Sequence, residues 1–539
     1  MKKYILSVLM VLAIVSCDDF IDHEKRGVQN LDKYFETPEE CEYWLNDLYL
    51  KATWVADWWQ LTAPRITNEV ATDDAWMGNT SQSPEDLFPA GHYLITPSRM
   101  GNIPNIYIYR FESITRCNQA IHRIPNSKIS DELKDKYIGE ALFLRAYNYL
   151  ELVNNFGALP LCLEELSTSQ LDKVRSPKED IYSAIEGDLI QACKLLKADA
   201  TKINTERGRA NKWAAQALLA RAYLYQSKWE KAYTYADSVI TTGPYQLETD
   251  FVNIWKVGTP NCMEVIFETQ TSDQEDKNLG NQMSTFTGAR GESIKDFPSQ
   301  DSKDVMDGWG WGVPTSDLEN CYLSENDDIR RKSTIITWGE PVYGDETHNP
   351  TYKFDLGQNK SGRAIRKYYI PIETRRLLVK KRENAPLNVP VIRLAEMYLT
   401  RAEASFHKGN VNDAMDDVDF VRARVNLAPK KGTVTGNNAL RAIWKERRME
   451  LAFEGLRLYD IRRQIDPDTN KPVIASILGP NGSFVKYNTQ TSTDPYELTN
   501  KGELQNKGTN FDLNKHLVWP IPQAEIDRSG GTITQNPGY

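Results

Sequence analysis

The stretch GRANKWAAQALLARAYLYQSKWEKAYTYADSVI (208–240) constrains the chain most, because its apolar residues recur at helical spacing on both sides of a very short break. Taken at about 100° per residue, KWAAQALLARAYLYQ (212–226) and KWEKAYTYADSVI (228–240) each carry an apolar stripe. A single residue, Ser227, lies between them, so the two helices fold back on each other as neighbours. Ala220, Ala232 and Ala236 place small side chains where such helices cross, Tyr223 fills the space beside them, and Pro244 ends the unit.

A second pair, VIRLAEMYLTRAEASFHKG (391–409) and NVNDAMDDVDFVRARVNL (410–427), sets Ala402 and Ala414 in similar positions across its turn, with Ser405 in place of the aromatic. These offsets fit the tetratricopeptide repeat, in which small residues let two helices approach closely. Further helices are predicted at 130–157, which stops at Asn155 and Gly157, and at 439–464, with a break near Gly455. Thr37 with Glu40, and Ser176 with Glu179, read as capping boxes with a proline at the first helical position. The first of these helices carries Cys41, Trp44, Leu45, Leu48 and Ala52 on one face and Tyr43, Leu50, Trp54 and Trp58 on the other, a pattern that predicts packing on two sides.

The predicted fold is therefore mainly α: a helical-hairpin scaffold over about 31–60, 103–242 and 391–464, within one unit running 17–539. Between these segments lie 61–102, 243–390 and 465–539, which are rich in turn formers and show only short strand-like runs such as MEVIFETQ (263–270) and STIITW (333–338). Long ordered loops on a rigid scaffold are where binding surfaces usually sit.

The N-terminus, MKKYILSVLMVLAIVSCDDF, has two lysines, a short apolar run and then Ile14-Val15-Ser16-Cys17. The apolar run is too short to span a bilayer, and the last four residues match a bacterial lipobox. Residues 1–16 are predicted to be a signal peptide and Cys17 the lipid-modified mature N-terminus, which anchors the chain to an envelope membrane. A net charge of −9 argues against nucleic-acid binding. The other cysteines are scattered without a CxxC pair and read as small buried hydrophobes.

Catalytic signatures are missing from the sequence. The six histidines never pair at HxxxH spacing, and no HExxH, GxSxG or P-loop occurs, so no catalytic residue, metal ligand or cofactor is expected. The ERRMEL charges read as ion pairs between and within helices. What remains is aromatic: 13 Trp and 26 Tyr in a polar chain. An indole can stack on the C–H face of a sugar while short polar residues bond the hydroxyls. Trp76, beside Asp73, Asp74 and Asn79, and Trp309 and Trp311 in GWGWG (308–312), are the first candidates for ligand contact, with Trp58 beside them. In GWGWG the glycines are expected to leave room for a ligand, with one indole structural and the other presented.

Several motifs, taken in order, carry a resemblance: CDDF, ALFLRAYNYLELVNNFGALPL (141–161), GRANKWAAQALLARAYLY (208–225), VIRLAEMYLTRAEA (391–404), ERRMELAFEGLRLYDIRR (446–463), VWPIPQAEI and the terminal QNPGY. The chain resembles the SusD/RagB family of outer-membrane nutrient-binding lipoproteins of Bacteroidota. The resemblance implies a SusD-like α-superhelix of four tetratricopeptide-like units with a loop-rich second half. It also implies a non-catalytic, surface-facing lipoprotein that binds oligosaccharide or polysaccharide and delivers it to a SusC-like TonB-dependent transporter barrel. The aspartates after Cys17 then look like an acidic export signal. Peptide cargo, as in some relatives, or a purely structural repeat scaffold are the other readings the sequence leaves open.

Overall fold

The computed structural model describes residues 31, 34–53, 63–78, 84–165, 174–199, 208–257, 262–272, 274, 279–288, 293–295, 308–344, 351–354, 359, 361–379, 384–499 and 507–539. The scaffold consists of α1 (Pro38–Thr53), α2 (Ile103–Arg123), α3 (Asp131–Phe156), α4 (Lys178–Leu195), α5 (Lys212–Tyr225), α6 (Trp229–Thr242), α7 (Leu394–His407), α8 (Val411–Ala423) and α9 (Asn437–Leu451). Each helix packs on the next, so they pair as α1/α2, α3/α4, α5/α6 and α7/α8. The α6–α7 contact forms although the whole 243–393 excursion intervenes. Ala220, Ala232, Ala236, Ala402 and Ala414 have no exposed surface, as residues at helix crossings must. The fold is thus a mainly α, tetratricopeptide-like stack.

Local signals set the helix ends. Glu40 N–H donates to Thr37 Oγ1 (3.2 Å) while Glu40 Oε2 accepts from Thr37 N–H (3.0 Å), a complete capping box. The predicted box at Ser176 does not form. Ser176 pairs across a two-residue ladder with Leu159, and Pro177 takes the N-cap position of α4. The outer face of α1 is not packed at Tyr43, which is exposed, whereas Cys41, Leu45, Leu48 and Ala52 are buried. Val391–Arg393 belong not to α7 but to strand β4 (Val389–Arg393), antiparallel to β1 (Val265–Thr269). Valine and isoleucine favour a pleated, buried site there over another helical turn. The 439–464 helix breaks after Leu451, where Phe453 and Gly455 adopt positive φ, and resumes at Arg457–Arg463.

The turn-rich regions contain short helices that carry too few residues for a legible period: Ala63–Val70, Pro84–His92, Ser316–Leu323, Asp328–Thr334 and Ile372–Leu378. Two start on side-chain caps, with Thr315 accepting from Leu318 N–H and Asp327 from Arg330 N–H. Strands β2 (Ile335–Thr337) and β3 (Arg363–Ile365) pair antiparallel and bury a small separate cluster around Tyr352, Phe354 and Tyr369. The main apolar core draws on scaffold and excursion alike, from Phe35 to Ile533. Cys41 and Cys117 lie in it, and burial pushes their thiols up to about 11 and about 12. Among the described residues no helix is long and apolar enough to cross a membrane.

Buried charge joins the excursion to the scaffold. Arg393 meets Glu264 (2.6 Å), Glu450 (2.5 Å) and Glu454 (2.7 Å), Arg330 meets Asp327 (2.5 Å), Glu446 (2.7 Å) and Glu450 (2.9 Å), and Lys367 meets Glu454 (2.7 Å). The ERRMEL charges thus bridge helix to loop, with Glu446 and Glu450 inside the molecule.

Candidate functional site

The turn after Ala63–Val70 meets the GWGWG segment along a short irregular ladder. Trp76 N–H donates to Val313 O (2.7 Å), Thr315 N–H to Asp74 O (2.9 Å), and Gly78 lies opposite Trp311. On its other side GWGWG is pinned to the Met283–Thr287 helix, with Trp309 N–H on Thr285 O and Trp311 N–H on Phe286 O (both 2.8 Å). Trp76, Trp309 and Trp311 therefore belong to one locality.

Their roles differ from the expectation. Trp76 is only 1% exposed. Its indole N–H donates to Glu497 Oε1 (3.0 Å), and its ring packs on Phe484 with centroids 5.7 Å apart. It is a core residue with a buried polar partner, which corrects its reading as a presented platform. Asp73 and Asp74 are also buried, and arginines engage both carboxylates. Arg457 grips Asp73 with two bonds (2.9 and 2.8 Å), while Arg448 contacts Asp74 (2.7 Å), Asp317 (2.7 Å) and Asp73 (3.1 Å). Burial opposes ionisation of Asp73, but Arg448 and Arg457 outweigh it and hold the carboxyl below its usual range. Burial, reinforced by the Asp73 charge, raises that of Asp74. Neither oxygen pair is placed to receive sugar hydroxyls, which corrects that expectation as well.

Trp311, 3% exposed, stacks on Phe286 at 5.8 Å with planes 18° apart. The glycines around it admit neighbouring backbone rather than a ligand. A Cβ on Gly78 would lie 1.6 Å from Gly310 O, and one on Gly308 would lie 2.2 Å from Gly288 O. Trp309 is the member that stays partly exposed. Its ring sits edge-on to Phe286 (5.0 Å) and Trp311 (5.5 Å), supported from beneath. Trp58, Asn79 and Cys17 lie outside the described residues.

Two supports had no sequence signal. Glu497 accepts from Trp76, from Ser316 N–H (2.8 Å) and from Ser492 Oγ (3.2 Å), although it stands in a helix of only five residues, Pro495–Thr499. Lys507 is fully buried, donates to Val70 O, and lies 6.0 Å from the Trp76 ring centre; burial pulls its ammonium down to about 7. His92 stacks on Phe88 (3.9 Å) and His516 Nδ1 accepts from Asp512 N–H (2.8 Å), and burial lowers each ring to about 4. No group of three or more His, Cys, Asp or Glu among the described residues is placed to hold a metal.

Stacked helical hairpins carrying a loop-built aromatic cluster define a tetratricopeptide-like repeat protein with large excursions. The chain belongs to the SusD family, whose model matches residues 263–539; a second model, described as starch-binding associating with outer membrane, matches residues 21–224. SusD-like protein P2 of Formosa agariphila is 25% identical, with 100% of each chain covered. Starch-binding protein SusD of Bacteroides thetaiotaomicron is 25% identical over 88% of this chain and 84% of its own. Among solved structures, a laminarin binding SusD-like protein superposes with a TM-score of 0.73 at 24% identity, covering 93% of this chain and 99% of that one. Surface glycan-binding protein A from Bacteroides thetaiotaomicron in complex with laminarihexaose gives 0.71 at 21% identity, covering 92% and 99%. These likenesses establish the shared fold.

Proposed function

We propose that the chain binds oligosaccharide or polysaccharide at the outer-membrane surface and passes it to a SusC-like TonB-dependent barrel for import. In this reading residues 17–539 act as one unit, tethered through lipid on Cys17. The observation that carries it is Trp309, a partly exposed indole held rigidly by Phe286 and Trp311 at the junction of two loops. A preorganised aromatic face of this kind suits the apolar face of a sugar ring. Family membership and relatives described as starch-binding or laminarin binding support the same class of ligand. Binding without hydrolysis is the fitting role, since Asp73 and Asp74 are tied to arginines rather than set on either side of a cleft.

Calorimetry of the mature chain against a panel of polysaccharides tests the reading. Trp309→Ala should weaken the ligand found by about ten- to a hundredfold, the range for a lost stacking partner. An unchanged affinity would remove Trp309 from the site. Cys17→Ala should release the chain from the outer-membrane fraction or leave it unprocessed, and continued acylation would overturn the anchor.

A further inference from the structure

A second aromatic surface lies away from the GWGWG turn. Trp338, at the end of β2, is 39% exposed, and its ring centre is 6.4 Å from that of half-buried Tyr496, with planes 58° apart. Both are fixed to the same backbone. Trp338 N–H donates to Gly362 O (2.9 Å), and Tyr496 lies so flat on Gly362 that a Cβ there would meet its ring at 2.6 Å. Asp494 Oδ1 accepts from the backbone N–H of Tyr496 (3.1 Å) and Glu497 (3.0 Å), and its Oδ2 accepts from Arg363 (2.6 Å). The short segment around Tyr496 thus turns Glu497 inward to Trp76 and leaves the tyrosine ring beside Trp338.

The charge beneath this pair selects among ligands. Arg331 and Arg363 are buried and already engaged: Arg331 by Glu319 (3.2 Å), Asp328 (3.2 Å) and Glu340 (2.9 Å), Arg363 by Glu319 (2.7 Å) and Asp494 (2.6 Å). At the surface of this cluster two carboxylates stand against one cation: Asp328 is 60% and Glu340 38% exposed, and Lys332, 39% exposed, is bound to Asp328 at 2.6 Å. A uronate or sulfated sugar would meet like charge there, whereas the hydroxyls of a neutral sugar would find acceptors.

We propose that Trp338 and Tyr496 form a second sugar-stacking platform, separate from Trp309, that takes neutral rather than anionic saccharide. This rests on the glycan-binding reading above and adds a ligand class and a second contact to it. Mounted rings lose little freedom on binding, so the pair contributes affinity in the free protein's own geometry.

Affinity electrophoresis of the mature chain in gels containing laminarin, starch, xylan, alginate or polygalacturonate tests this. A neutral polymer should retard the wild type. In that gel Trp338→Ala and Tyr496→Ala should each bind about tenfold more weakly, with Tyr496→Phe close to wild type. The melting temperature of Trp338→Ala should stay within about 2 °C of wild type, because Trp338 is a surface residue. Wild-type retardation by Trp338→Ala, with Trp309→Ala impaired, would overturn the second platform and leave the binding reading standing. Trp338-dependent retardation in alginate or polygalacturonate would overturn the neutral class. Wild type unretarded in every gel would overturn the binding reading and this platform with it.

Discussion

Around Ala220 and Ala402 the chain buries small apolar side chains at helix crossings, with ion pairs such as Arg145 to Asp188 and Arg221 to Glu396 between scaffold helices, whereas around Arg393 and Arg448 buried charge ties the excursions to the scaffold. The hairpins are held by contacts between helices close in sequence, such as α5 on α6 and α7 on α8. The excursions lack a long apolar period; they share the main apolar core and are tied to the scaffold by ion pairs that reach far along the chain, for example Arg448 to Asp74 across 374 positions. The contrast teaches that the loop-rich half does not fold as an appendage. Its shape depends on Glu446, Arg448, Glu450 and Glu454 projecting from the end of the scaffold.

The sharpest way to break this contrast is to remove one buried cation. Arg393→Ala would leave Glu264, Glu450 and Glu454 short of a counter-charge and should cost about 3–5 kcal/mol in urea unfolding. A cost under about 1 kcal/mol would mean that water reaches these carboxylates and that the excursions are held otherwise. Trp76→Ala should cost a similar 3–5 kcal/mol, because it empties a core site and strands Glu497. If Trp76→Ala melts like wild type but binds glycan less well, the indole is a platform after all.

Lys507 gives the comparison a pH axis. Its folded pKa is about 7 against the usual 10.5, so between those values the unfolded chain holds a proton that the folded chain lacks. Stability from this group therefore rises with pH from 7 towards 10.5, and the penalty of burying the charge is complete below 7. Lys507→Met should raise the melting temperature relative to wild type most at pH 6 and least at pH 9, a span of a few kcal/mol (about 1.4 per pKa unit). A mutant-minus-wild-type difference that is flat with pH would show that Lys507 is solvated.

On the scaffold side, Ala402→Leu or Ala220→Leu should overpack a helix crossing and cost about 1–3 kcal/mol by thermal melting. Wild-type stability in either would mean that the crossing tolerates a larger side chain, contrary to its full burial. The smallest stability effect belongs to Trp309→Ala, which should change the unfolding free energy by less than about 1 kcal/mol while affecting binding most. A large loss of stability there would place Trp309 in the core with Trp311.

The scaffold was legible in the sequence because its determinants are local. Thr37 and Glu40 sit within one turn, Ala220 and Ala232 are buried on helices joined by only three residues, and Gly157 ends α3 as its φ of +73° allows. Trp76, Trp309 and Trp311 were picked out one by one from their local sequence, and it is the fold that brings their segments together. Which indole is core and which is surface was decided elsewhere. Trp76 is buried because Glu497 and Phe484 arrive from about 400 residues away, the Glu497 bond spanning 421 positions. Gly308 is met by the backbone of Gly288, Gly310 O fills the space beside Gly78, and Gly312 faces the Ile66 side chain, contacts that no periodicity announces. The carboxylates of Asp73 and Asp74 looked available only because Arg448 and Arg457 are remote in sequence. Helix propensity, capping and alanine spacing act over a few residues and can be read along the chain. Burial of a ring or a charge depends on partners whose sequence distance is arbitrary, so only the folded chain determines it.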